Sequence, residues 1–175
     1  MLQQDFIAHE YNRISMGSRW RMRFNMKTDK PVKFALQLRL PWWLHEKAIL
    51  KVNGVPEPVK IVNGFFSLDR EWNNDEVLVE FPAKVYAVPL PDSKNKYAFM
   101  EGPRVLAGIT DNDNMLKGDV HNPESILSRE YEHEYKVFPW KQSHYLTVNR
   151  GVNIKFIPLY EGSDECYTIY FPVQT

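Results

Sequence analysis

Cysteine is nearly missing. Cys166 is the only one in 175 residues, which excludes a disulfide within the chain and any zinc site built on several cysteines. An excess of one charge is missing too: 22 basic residues balance 22 acidic ones, so no global field draws the chain to nucleic acid or to an anionic membrane. No run approaches the roughly 18 to 20 apolar residues that a membrane-spanning helix needs, and the opening MLQQDFIAHEYNRIS lacks the basic region and apolar core of a signal peptide. Glycine-rich phosphate loops and a G-x-S-x-G nucleophile elbow are absent. No cofactor, metal, nucleic acid or membrane is therefore expected.

Helical periodicity is also scarce, with only Ser125 to Glu134 suggesting a helical turn or two. What is present is alternation. Phe34, Leu36, Leu38 and Leu40 share one face of a run whose other face carries Lys33, Gln37 and Arg39; Trp20, Met22, Phe24 and Met26 likewise oppose Arg19, Arg21, Arg23 and Asn25. Asn53-Gly54 and Asn63-Gly64 are hairpin signals, with Val59 to Val62 expected to return after the first pair and Phe65 to follow the second. Asn73-Asn74-Asp75 breaks the pattern before Val77 to Phe81, and Pro82 is expected to close that strand. Six or seven strands are expected in the first 90 residues, a crossing segment at 84–90, and two runs around Glu101-Gly102-Pro103-Arg104. The stretch DNDNMLKGDVHNPES reads as a long loop. Four strands follow in EYEHEYKVFPW, HYLTV, VNIKFIPLY and CYTIYFPV.

This spacing predicts an all-β fold, an antiparallel, jelly-roll-like β-sandwich with little helix, in a single domain over 1–175 with a possible weak subdivision near 91–96. A chain of this length buries roughly 70% of its unfolded surface and needs no staples.

Few constellations carry chemistry. On a strand, Glu130, Glu132 and Glu134 face away from His133, so they do not converge on a metal. Asp111, Asp113 and Asp119 lack the remaining ligands of an EF-hand loop. Cys166 is expected to be a small buried thiol in an apolar strand. The arginine row at 19, 21 and 23 points away from Trp20, against a nucleic-acid groove. Aromatics make up 14% of the chain, which suits either a ring-filled core or a sugar-stacking platform. Trp42, Trp43, Trp140 and Tyr145 are the candidate carbohydrate-binding residues, and the adjacency of Trp42 and Trp43 turns one of them outward.

The ordered pieces FALQLRLPWW, ILKVNG, GFFSLDREWNNDEVLVEFP and YAFMEGPRVLAG resemble the region that follows the catalytic domain in the β-L-arabinofuranosidase-like proteins of glycoside hydrolase family 127. Arg39, Leu40, Pro41 and Trp43 match its R-[IL]-P-x-W strand end; Val52, Asn53 and Gly54 match its V-N-G turn; Gly64, Phe65, Leu68, Arg70 and Trp72 match the strand after it. The run IPLYEGSDECYTIYF is similar to its closing strand pair. Two positions depart: Asn74-Asp75 stands where the family often has Gly-Asp, and Glu101 stands where an Arg precedes Gly-Pro. In that family a cysteine nucleophile beside a zinc acts within an upstream (α/α)6 barrel, none of which is in this sequence. The resemblance implies an accessory, non-catalytic β-sandwich whose partner is a helical catalytic domain. It also implies an apolar flank able to self-associate when uncovered, and a secreted or periplasmic place if the parent carries a signal peptide. A carbohydrate-binding module remains the alternative.

Overall fold

A computed structural model describes residues 2–5, 18–58, 60–112, 114–129, 143–148 and 152–174. The fold is all-β. It divides into two compact units, residues 1–83 and 84–175. The seam lies ahead of the loop at 91–96, which is a turn inside the second unit closed by the Leu90 N–H donating to the Lys96 carbonyl at 2.8 Å.

The described residues of the first unit hold β1 (Leu2–Asp5), β2 (Ser18–Met26), β3 (Val32–Arg39), β4 (Ile49–Val52), β5 (Val55–Pro56), β6 (Ile61–Val62), β7 (Phe65–Trp72) and β8 (Glu76–Ala83). They form one sheet in the order β1-β2-β8-β4-β5 and another in the order β3-β7-β6. Alternation selects the inner faces. Trp20, Met22 and Phe24 lie opposite Phe81, Val79 and Val77 in register, while Leu38 lies opposite Phe66 on the other sheet. The layers meet where Phe66 stacks on Phe81, ring centroids 6.4 Å apart and planes 3° from parallel. Trp72 is fully buried and its indole N–H donates to the Phe34 carbonyl at 2.9 Å, which satisfies the polar tip that burial would otherwise strand.

Asn53-Gly54 and Asn63-Gly64 both take positive φ at each residue, the type I′ geometry that matches strand twist. The first hairpin closes at once: β5 pairs with β4 at Val55 and Pro56, so the return strand is not at 59–62. Ile61–Val62 instead enters the second hairpin with β7. Pro82 does not end β8, because it occupies a register position opposite Arg19 and the strand runs on to Ala83. With the second unit's first strand, nine strands stand among the described residues of the first 90, more than the expected six or seven; two-residue strands around tight turns are too short to show alternation.

The second unit holds β9 (Val85–Pro89), β10 (Lys96–Glu101), β11 (Arg104–Ile109), β12 (Leu116–Lys117), β13 (Leu127–Arg129), β14 (Tyr145–Thr147), β15 (Lys155–Pro158), β16 (Tyr167–Thr168) and β17 (Phe171–Gln174). The segment at 84–90 is thus a strand, paired along β10. The main order is β12-β17-β10-β11-β15-β14-β13, with β9 beside β10 and β16 beside β11. β10 changes neighbour along its length, from β17 at Tyr97 to β11 at Phe99, which lets the sheet coil around Phe99, Leu106, Phe156 and Phe171. The 111–125 stretch contains β12 and a 3-10 turn at Pro123–Ser125. No helix among the described residues is long and apolar enough to cross a membrane.

Candidate functional site

Pro41, Trp42 and Trp43 form a tight turn after β3, closed by the Leu44 N–H donating to the Pro41 carbonyl at 3.3 Å. The turn separates the two indoles. Trp42 is 75% exposed and Trp43 only 6%. Trp43 packs against Trp20 and edge-on to Phe81, with centroids at 5.9 and 6.3 Å, so it offers no ring face to a sugar. Tyr145 is buried as well, because register places it opposite Phe156 in the second unit's core. Trp140 lies outside the described residues, as do Glu130, Glu132, His133 and Glu134. Of the three candidate aromatics among the described residues, Trp42 is the one that is exposed.

The arginine row of β2 faces carboxylates. Glu80 is buried on that outer face, 3.4 Å from Arg19, 3.6 Å from Arg21 and 3.9 Å from Lys51, while Arg23 sits 3.2 Å from Glu76. Such pairs lock side chains across strands. On the other sheet, Val32, Phe34 and Ile61 occupy register positions that share the inward face with buried Trp72 and Phe66, yet all three are exposed. The inward face of β3 and β6 extends past its cover.

In the second unit a polar cluster forms where β10, β11, β13 and β14 end. Glu101 is 1% exposed, with Arg104 at 3.7 Å. Arg104 donates to the Ser143 hydroxyl at 2.6 Å; Ser143 is buried with φ at 62°. Arg129 is buried beside them. Burial, and next the Glu101 carboxylate, hold the Tyr145 phenol well above its usual range. His144 bonds to Glu161 through Nε2 at 2.9 Å. A charged residue at each end of the Gly102-Pro103 turn was the only trace of this cluster in the sequence.

Cys166 is exposed rather than buried, because β16 begins one residue later and leaves it in the preceding loop. Asp111 accepts from the Asn112 amide at 2.6 Å and Asp119 from the His121 N–H at 2.8 Å, so these carboxylates fold their own loops; Asp113 lies outside the described residues. Among the described residues no group of three or more His, Cys, Asp or Glu stands close enough to hold a metal ion.

These features define an all-β protein with a buried polar cluster in its second unit and exposed apolar residues on an inward sheet face of its first. Residues 9–83 match the family model of the GH127 middle domain of β-L-arabinofuranosidases. Among solved structures, a GH127 β-L-arabinofuranosidase from Geobacillus stearothermophilus T6 is similar at 18% identity and a TM-score of 0.60, over 99% of this chain and 32% of that one. A protein described as a glycoside hydrolase is similar at 20% identity and 0.60, over 95% and 32%, and a GH127 β-arabinofuranosidase at 17% and 0.55, over 95% and 31%. These likenesses show the fold. No curated protein matches. Residues 9–83 thus match the family 127 middle domain that the sequence resembles, and the chain spans about a third of the length of the solved relatives it matches.

Proposed function

We propose that this chain is a non-catalytic accessory β region of a glycoside-hydrolase-like protein, whose work is to pack against a helical-barrel catalytic domain. The observation that carries this reading is the middle-domain match over residues 9–83 in a chain that spans about a third of its solved relatives. A physical feature supports it as well. Val32, Phe34 and Ile61 are apolar, register with core positions and remain exposed, as a sheet face does when another domain completes its cover.

Intact mass spectrometry of the protein purified from its natural source tests the proposal. A mass far above 20.7 kDa, with peptides of a helical barrel on the same polypeptide, is expected. A natural product of this mass alone would overturn it. A carbohydrate-binding module is the second reading, favoured by the ring that Trp42 exposes; it requires saturable quenching of tryptophan fluorescence by a glycan and loss of that quenching in Trp42→Ala.

A further inference from the structure

We infer that Asn63 is a site of spontaneous deamidation, and that of the chain's two Asn-Gly pairs the one at Asn53 is shielded by the turn that joins β7 to β8. The two sites form a matched comparison. Each reads Val-Asn-Gly, each asparagine is exposed with φ at 50° or 51°, and each glycine has φ at 78° with open space around it. Sequence, exposure and backbone conformation therefore do not separate them.

Hydrogen bonding does. Asn53 Nδ2 donates to Asp75 Oδ1 at 2.7 Å, its Oδ1 accepts from the Glu76 N–H at 2.8 Å, and its backbone N–H donates to the Glu76 carbonyl at 2.8 Å. Asp75 is held in turn by the Asn73 N–H at 2.7 Å. Asn53 also follows β4, which is paired with β8 up to Val52, so fraying of the short β5 leaves its amide clamped. Asn63 has no side-chain hydrogen bond among the described residues. It follows β6, a strand of two exposed residues at the edge of its sheet, and when β6 frays its amide is released with it.

The chemistry needs only water. The Gly64 backbone nitrogen attacks the Asn63 Cγ and loses its proton, the Cγ–Nδ2 bond breaks, ammonia leaves, and the new C–N bond closes a five-membered succinimide. Water opens that ring at either carbonyl to give aspartate or isoaspartate, so amide and water become acid and ammonia with nothing oxidised or reduced. Glycine obstructs the attack least, having no Cβ. A closed type I′ turn opposes the rotation that brings Cγ to the nitrogen, and a frayed one permits it. Isoaspartate adds a methylene to the main chain of a two-residue turn whose geometry sets the β6–β7 register, and either product puts a charge beside the exposed Ile61 and Val62.

The intact chain is incubated in mildly alkaline buffer beside a synthetic peptide of residues 59–68, and peptide mapping by mass follows amide-to-acid conversion at each pair. Asn63 should convert about tenfold faster than Asn53, the protection expected of two side-chain hydrogen bonds, with isoaspartate among its products. Asp75→Ala removes the acceptor of the Asn53 amide and should speed conversion at Asn53 by roughly threefold or more while leaving Asn63 unchanged. Equal rates in the wild type, faster conversion at Asn53, or no conversion at Asn63 by the time the peptide has fully converted would overturn the inference. An Asn53 rate unmoved in Asp75→Ala would overturn it too, as would equal acceleration of both sites in a variant that still unfolds cooperatively, because shared unfolding would then set the rates. Neither rate bears on the natural length of the polypeptide, so this inference and the accessory-domain proposal fail separately.

Discussion

Glu101, buried, and Arg104, half-buried, stand on either side of the Gly102-Pro103 turn, 3.7 Å apart, and Arg104 reaches on to Ser143 in the segment before β14. Here the acid and the base sit at opposite ends of the same turn, and Arg129 adds a further buried cation. Replacing Glu101 by Ala removes the buried carboxylate 3.7 Å from Arg104, which should destabilise the second unit by about 3 to 5 kcal/mol. Urea unfolding checks this; a change below about 1 kcal/mol would mean that water reaches the arginines.

Trp72→Ala should cost about 3 to 5 kcal/mol, because it empties a fully buried site and orphans the Phe34 carbonyl that the indole serves. Trp42→Ala, at an exposed turn, should stay within about 0.5 kcal/mol. Equal losses in the two variants, by chemical denaturation, would contradict the division of the tryptophans.

Asp75 gives a pH dependence. Its carboxylate accepts from the Asn73 N–H at 2.7 Å and from the Asn53 amide at 2.7 Å. The Asn73 bond foremost, then Asn53 and the Arg70 charge, hold its pKa below the usual carboxylate range against the opposing effect of burial. A group with a depressed folded-state pKa stabilises the fold above its unfolded pKa and loses that contribution as pH falls through the folded value. The stability gap between wild type and Asp75→Ala should therefore be present at neutral pH and shrink on acidification. At this largely solvated position it should stay under about 1 kcal/mol. A gap that widened toward acid would reverse the sign.

Two glycines separate backbone need from space. Gly54 has φ at 78° with nothing near a new Cβ, so Gly54→Ala should cost only the left-handed conformation, about 1 kcal/mol. Gly108→Ala would set a Cβ 2.3 Å from one atom of the Phe171 ring and 3.1 Å from Phe156. Both rings are fully buried in the core, and overpacking of about 1 to 3 kcal/mol is expected. Thermal unfolding of the pair should rank Gly108→Ala as the more damaging.

Alternation carried most of the architecture. The Arg19–Met26 and Val32–Leu40 runs became β2 and β3 because a half-buried sheet imposes a period of two, and the Asn-Gly pairs became hairpin turns because both residues must take positive φ. Even the departure at Asn74 is legible in hindsight: it takes φ at 55°, a conformation glycine adopts freely and asparagine tolerates, so Gly-Asp and Asn-Asp serve one turn. Other features had no local signal. Pro82 sits inside β8 because its neighbours supply the ladder, and Tyr145 and Trp43 are buried by strands far away in sequence.

Turnover of an aryl arabinofuranoside by the purified chain, with and without added zinc, beside its Cys166→Ser variant, tests the non-catalytic account most directly. The account predicts no release of the aryl group above buffer, identical in the two proteins and unmoved by zinc. Turnover by the wild-type chain that disappears in Cys166→Ser would contradict it.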